Sequence, residues 1–189
     1  PRTDDLQREE AYGSREAAGL AAAGHVQSSE APAAVGHVLP PELKAKLESV
    51  CTATLSSQLR KRGLNNVSID GLTSTRPDKR IVGLARTLRY VPNREDLFKT
   101  HGGGFSAQVM EARGEKGTGT IGDILALRAQ VRGAAAIITD GGVRDFSAVA
   151  AMDMPTYYAN PHPAVLGRRH IPWDTDITIA CGGTTVQPG

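Results

Sequence analysis

The sequence predicts an α/β fold, and three observations predict it. Short apolar runs suited to buried strands alternate with stretches of helical periodicity, the pattern of layered α/β architecture. Glycine and proline punctuate the joins between them. One run, "AAAIIT" at residues 134–139, is apolar on both faces, as strands are in a sheet covered on both sides.

The first 39 residues stand apart. Up to Pro40 the chain is rich in Ala, Gly, Glu and Ser, and carries three Arg against six Asp and Glu. "LQREEAYGSREAAGLAAAG" contains good helix formers but only a thin apolar face. Residues 1–39 are therefore expected to be a flexible or docking arm, and residues 40–189 the folded domain. The arm has no continuous apolar segment of the kind a secretory signal needs, and its acidity does not suit an organelle transit peptide.

From Pro40 onward, Leu43, Leu47 and Val50 predict one helix, and Thr52 is expected to cap a second that contains Leu55 and Leu59 and ends at Gly63. "RIVGLARTLRYV" alternates as a strand does, and "TYYA" and "DITIA" predict short strands nearer the end. Between them, Ile124, Leu125, Leu127 and Val131 recur at near-helical spacing. Gly133 is the expected stop before the "AAAIIT" strand.

Composition narrows the function classes. A chain of 189 residues can bury a full core, and with only 4% aromatic residues that core must be built from Leu, Ile, Val and Ala. Cys51 and Cys181 are too few for a disulfide framework, so both are expected to be buried thiols in a reducing, cytoplasmic setting. No apolar run approaches the roughly 20 residues that span a membrane. Two basic clusters, Arg60–Lys61–Arg62 and Arg76, Lys79 and Arg80, have no aromatic stacking platform beside them. The formal net charge is only +2, which favours solvated faces over a nucleic-acid surface. "GEKGTG" lacks the Gly-Lys-Ser/Thr ending of a phosphate loop. His101 and His162 have no metal-ligand spacing to another His and read as loop or core histidines. Ser56 and Ser147 lack a His-Asp arrangement that would activate them.

The candidate site is carried by "GDILALRAQVRGAAAIITDGGVRD": Asp123, then twenty residues, then Arg144 and Asp145. Asp123 is expected at a helix start and Arg144–Asp145 on a loop leaving the carboxyl end of the "AAAIIT" strand, where open α/β sheets place their ligands. A guanidinium at Arg144 can hold a carboxylate through two parallel hydrogen bonds. The free amides at Asp123, Ile124 and Leu125 also favour an anion. Asp145 is a hard oxygen donor suited to Mg²⁺ or Mn²⁺, and Asp123 is placed to orient a water or act as a base. Together these parts suit a small 2-oxo acid held by its carboxylate and keto oxygens while a C–C bond breaks. Taken singly, the same residues also serve as a helix cap and a structural ion pair. Gly117, Gly119 and Gly122, with the Asp140-Gly141-Gly142 turn, are expected to let the backbone approach a ligand closely.

This run resembles the core of the RraA-like family, which holds the regulators of ribonuclease activity and the 4-hydroxy-4-methyl-2-oxoglutarate (or 4-carboxy-4-hydroxy-2-oxoadipate) aldolases. The resemblance extends from about Leu43 to Gly189, through "TATLSSQLRKRGL", "IVGLARTLRYVP", "MPTYYANPHP" and "CGGTTVQPG". It implies an α/β/α sandwich assembled as a homotrimer or hexamer, with sites at subunit interfaces. It further implies Asp145 as ligand to Mg²⁺, Mn²⁺ or another divalent cation, Arg144 as the contact to a pyruvate carboxylate and enolate, and Asp123 as holder of metal-bound water. Gly122, Asp123, Ile124 and Leu125 would line the substrate, the last two through backbone amides. The implied activity is that of a metal-dependent pyruvate aldolase or oxaloacetate decarboxylase, the alternative being a non-catalytic regulator that binds a protein partner such as a ribonuclease. Two departures from the family pattern are expected: Gln108 runs directly into Val109 where relatives carry an extra stretch, and the sequence stops at "TTVQPG" where they continue.

Overall fold

Pro41 at the first helical position and Glu42 in the first turn start α1 (Pro41–Ser49), since proline's missing N–H is harmless there and an acidic side chain meets the positive helix end. The computed structural model describes residues 38–94 and 109–189, all within one compact unit, Pro32–Gly189. The arm expected over residues 1–39, but for its last two residues, lies outside the described residues, as do His101 and Gln108.

Helix α2 (Thr52–Lys61) comes next, and Gly63 ends its last turn with φ +86°, as expected. Its cap is Cys51 rather than Thr52: the Cys51 Sγ accepts the Thr54 N–H at 3.4 Å, and Thr52 is already helical. That position leaves Cys51 exposed, so the expectation of two buried thiols holds for Cys181 alone. The second basic cluster has local work. Arg80 donates to the carbonyls of Glu48 and Val50 at 2.7 Å each, closing the end of α1, and Lys79 donates to the Asp153 carbonyl at 2.7 Å.

The remaining elements are β1 (Thr73–Ser74), β2 (Thr87–Pro92), β3 (Val109–Glu111), β4 (Gly119–Ile121), α3 (Asp123–Val131), β5 (Ile137–Thr139), β6 (Gly142–Val143), α4 (Phe146–Ala150), β7 (Thr156–Tyr158), β8 (Asn160–Pro161), a 3-10 turn (Leu166–Arg168), β9 (His170–Thr175), β10 (Ile179–Cys181) and β11 (Thr184–Val186). The α/β class expected from the sequence is the class observed. A six-stranded sheet runs β1-β7-β5-β3-β2-β9, parallel from β7 through β2 and antiparallel at both edges. A second, parallel sheet runs β4-β6-β8, and β10 pairs with β11 as a hairpin. The strand expected over "RIVGLARTLRYV" is shorter, beginning only at Thr87. β9 has no counterpart among the expected strands, because Pro172 breaks its pattern; as an edge strand it tolerates a residue with no N–H to donate.

β5 shows why "AAAIIT" is apolar on both faces. Ile137 joins Leu88, Met110, Ala126, Val143 and Val149 in one core, while its neighbour Ile138 packs on the opposite face against Val109, Ile179 and Cys181. Burial there pushes the Cys181 thiol up to about 12. Helix α3 runs where the spacing of Ile124, Leu125, Leu127 and Val131 predicts it and stops before Gly133, but those residues are not its buried face. Only Ala126 of α3 is buried, with Ala129 partly so, whereas Ile124, Leu125, Leu127 and Val131 are exposed. Its small residues face the core and its large apolar ones face away. No described helix is long and apolar enough to cross a membrane.

Candidate active site

The three strands of the smaller sheet are parallel and end side by side, with Ile121 level with Val143 and Val143 level with Pro161. The residues just past each strand therefore converge: Gly122 and Asp123 after β4, Arg144 and Asp145 after β6, His162 after β8. The Arg144 N–H donates to the Ile121 carbonyl at 2.8 Å, and the His162 N–H to the Val143 carbonyl at 2.8 Å, which ties the three ends together. Carboxyl ends of parallel strands are the usual ligand edge of an open sheet. The expected placement needs one correction. Arg144 and Asp145 leave β6, not the "AAAIIT" strand, because the chain turns at Asp140–Gly141 and enters the second sheet first.

The glycines make this convergence possible. A Cβ on Gly119 would collide with Cγ and Cδ of Arg144, and one on Gly122 would lie 2.6 Å from Asp145 Oδ2. They are the hollows into which the Arg144 and Asp145 side chains fit. Asp140-Gly141-Gly142 is likewise no loose turn. Asp140 is buried, and its carboxylate accepts the Ala112 N–H at 2.5 Å and the Gly114 N–H at 3.0 Å. This clamps a tight turn in which Glu115 N–H donates to the Ala112 carbonyl at 3.0 Å and Arg113 and Gly114 take φ values of +57° and +64°.

Arg144 is half-buried, and its Nε is buried with no hydrogen-bond partner. Among the described residues no carboxylate forms an ion pair with it, so it is not half of a structural Arg-Asp pair. Asp145 adopts a left-handed conformation (φ +50°), a state that disfavours L-residues by roughly 1–2 kcal/mol and that Asp tolerates better than most. It precedes α4 without capping it: its carbonyl accepts from Ala148 and Val149, while its side chain makes no cap bond and stays exposed beside Gly122. Asp123 is the first residue of α3, and its Oδ1 accepts the Ile124 N–H at 2.7 Å. The Ile124 amide is thus already engaged, leaving the Asp123 and Leu125 amides as those without an intrahelical acceptor in this turn.

His162, read from sequence as a loop or core histidine, stands at the third strand end. Its Nδ1 accepts the Ala164 N–H at 3.1 Å. Only the parallel pairing of β8 with β6 puts it there, and no spacing in the sequence signals it. Among the described residues no three His, Cys, Asp or Glu side chains converge as a metal cage. A divalent ion here would rest on the exposed Asp145 carboxylate, with water and ligand oxygens filling its other positions. That donor set fits Mg²⁺ or Mn²⁺ and not a thiolate- or imidazole-seeking metal.

Residues 52–189, which include every residue named in this site, match the family described as RraA-like, Aldolase/RraA. The chain belongs to the RraA-like family. Among solved structures it is similar to Streptomyces coelicolor RraAS2, described as an unusual member of the RNase ES inhibitor RraA protein family, with 29% identity, a TM-score of 0.70 and coverage of 80% of each chain. It is also similar to an uncharacterized protein from Pseudomonas syringae pv. tomato, with 25% identity, a TM-score of 0.66, and coverage of 81% of this chain and 74% of that one. RraA-like proteins include metal-dependent aldolases and non-catalytic RNase inhibitors, and they are typically oligomeric.

Proposed function

We propose that this RraA-like protein is a divalent-metal-dependent lyase that cleaves a small 2-oxo acid to release pyruvate, by retro-aldol cleavage, by decarboxylation of oxaloacetate, or by both. The observation that carries this reading is Arg144: a half-buried guanidinium laid over Gly119, with Nε unpartnered and no carboxylate paired with it among the described residues, next in sequence to Asp145, whose exposed carboxylate lies against Gly122 just before α3. A buried donor without a partner is costly unless a ligand supplies one.

Arg144 binds the substrate carboxylate and fixes the direction of the adjoining keto group. The Leu125 amide, at the positive end of α3, faces the same charge. Asp145 would hold Mg²⁺ or Mn²⁺, which when bound would supply positive charge to offset the charge that develops on the substrate's keto oxygen. Asp123 keeps one carboxylate oxygen on the Ile124 amide and offers the other to a water or substrate hydroxyl, taking the proton that a retro-aldol cleavage must release. The new methyl carbon of pyruvate is then protonated from solvent or a neighbouring acid.

The assembly proposed with it is a homotrimer or dimer of trimers whose subunits meet over the exposed stripe of α3. That stripe begins at Ile124, within the site, so covering it would also shield the site from water. The second reading is a non-catalytic regulator that binds a protein partner such as a ribonuclease, and the likeness to RraAS2 favours it. A pyruvate-release assay on oxaloacetate and 4-hydroxy-4-methyl-2-oxoglutarate, with Mg²⁺ and with EDTA, separates them. Release that EDTA abolishes and Mg²⁺ restores is expected; no release from either substrate supports the regulator.

A further inference from the structure

We propose that His162 is a positioning residue for Arg144, acting through the turn at Pro163 and the Gly119 amide; this rests on the reading of Arg144 as the contact to the substrate carboxylate. Two prolines frame the histidine, in "NPHPA" at residues 160–164. Pro161 and Pro163 fix their own φ angles, and a residue that precedes proline is held extended, so the chain leaves β8 as a strap with little backbone freedom. His162 ties that strap at both ends. Its own N–H donates to the Val143 carbonyl at 2.8 Å, and its Nδ1 accepts the Ala164 N–H at 3.1 Å, two residues on, the bond that an Asn or Asp side chain makes in an Asx-turn. Pro163 has no N–H, so Ala164 carries the first backbone donor after the ring.

With Ala164 held, its carbonyl reaches the residue beneath Arg144. The Ala164 carbonyl accepts the Gly119 N–H at 3.0 Å, and the Val165 carbonyl accepts the Thr118 hydroxyl at 2.6 Å, so the strap is laid along the start of β4. A Cβ on Gly119 would strike Cγ and Cδ of Arg144 and lie 3.2 Å from the Ala164 carbonyl oxygen; arginine stem and carbonyl therefore flank the same point. The histidine also packs on the strand that delivers the arginine. A Cβ on Gly142, two residues before Arg144, would lie 3.1 Å from His162 Cβ. No carboxylate pairs with the Arg144 guanidinium among the described residues and its buried Nε has no acceptor, so packing against Gly119 and the strap is what holds its stem. Removing the Nδ1 acceptor leaves the Ala164 N–H unpaired and frees the strap, without removing any group that touches the substrate.

The test compares His162→Leu, which keeps a bulky side chain but accepts nothing, with His162→Asn, whose Oδ1 can accept the same N–H. Circular dichroism checks that both are folded, and His162→Ala replaces His162→Leu should that variant not fold. Amide hydrogen exchange on the full chain reads the strap without any ligand: exchange at Gly119 is expected to quicken in His162→Leu and to keep the wild-type rate in His162→Asn. Calorimetric titration with pyruvate in Mg²⁺ reads the site. His162→Leu is expected to bind about tenfold more weakly, the order of loss that a misplaced group brings, and His162→Asn to stay within about twofold of wild type. The positioning role is overturned if His162→Leu keeps wild-type exchange at Gly119 or wild-type affinity for pyruvate, or if His162→Asn is impaired as much as His162→Leu in either measurement. Wild-type protein that binds no pyruvate, or Arg144→Ala that binds it as well as wild type, overturns the reading of Arg144 instead, and exchange at Gly119 then decides by itself whether His162 holds the strap.

Discussion

At the scale of single residues, the site depends on two side chains whose substitutions should fail differently. Asp145→Ala removes the carboxylate that anchors the ion, so it is expected to abolish pyruvate release while leaving the fold intact, because the side chain is exposed and caps no helix. A folded Asp145→Ala variant with wild-type turnover would reject the assignment. Arg144→Lys keeps the charge but loses the planar fork, so kcat/KM should fall about tenfold to a thousandfold, on the order of 1.4 to 4 kcal/mol. Steady-state kinetics on oxaloacetate decide it; an unchanged value makes Arg144 structural.

At the scale of elements, the seam between β2 and β9 carries a titratable group inside the core. His170 is fully buried, stacks on Tyr90 with ring centroids 5.5 Å apart, and has no hydrogen-bond partner on either ring nitrogen. Desolvation, then the nearby Arg113 charge, pushes its pKa down from 6.5 to about 4. Above pH 6.5 the ring is neutral folded or unfolded and contributes nothing to the pH dependence. Between pH 6.5 and about 4 the unfolded chain takes up a proton that the fold refuses, so stability falls with pH, by about 2–3 kcal/mol at the lower end. His170→Phe keeps the stack and removes the proton. Urea midpoints measured at pH 7 and pH 5 should therefore drop less in the variant than in wild type. Equal drops would mean His170 is protonated in the fold.

At the scale of the whole molecule, the apolar stripe of α3 is the feature that a single chain leaves unexplained. Ile124 and Val131 are each 78% exposed and Leu127 is 50% exposed, on a helix that starts inside the site. A trimer or hexamer that covers this stripe would bury it and dry the site together. Light scattering coupled to size exclusion should show such an assembly, and Leu127→Asp combined with Val131→Asp should shift it toward the 19.9 kDa chain while reducing activity. A wild-type monomer with full activity would sink the interface, and an unchanged assembly in the double variant would place it elsewhere.

The sequence by itself determined the local choices: where α2 and α3 run, that Gly63 and Gly133 end them, and that residues 137–139 form a strand buried on both faces; it also grouped Asp123, Arg144 and Asp145, which the fold sets at neighbouring strand ends. The helix and strand choices rest on neighbours a few residues apart and the grouping of Asp123, Arg144 and Asp145 on a motif that proposes a shared site, and both are legible in a linear string. Tertiary structure alone decided the rest. Cys51 displaced Thr52 as a cap, because Sγ and oxygen compete for the same amide and only the backbone geometry chooses. The side of α3 that faces the core was set by tertiary packing, which buries Ala126 and leaves Ile124 and Val131 exposed. β9 and the arrival of His162 beside Arg144 depend on partners paired across the sheet. The same holds for Gly119 and Gly122, whose missing side chains are filled by residues more than twenty positions away. Contacts between distant parts of the chain leave no period in the sequence, so they can be read only once the strands are side by side.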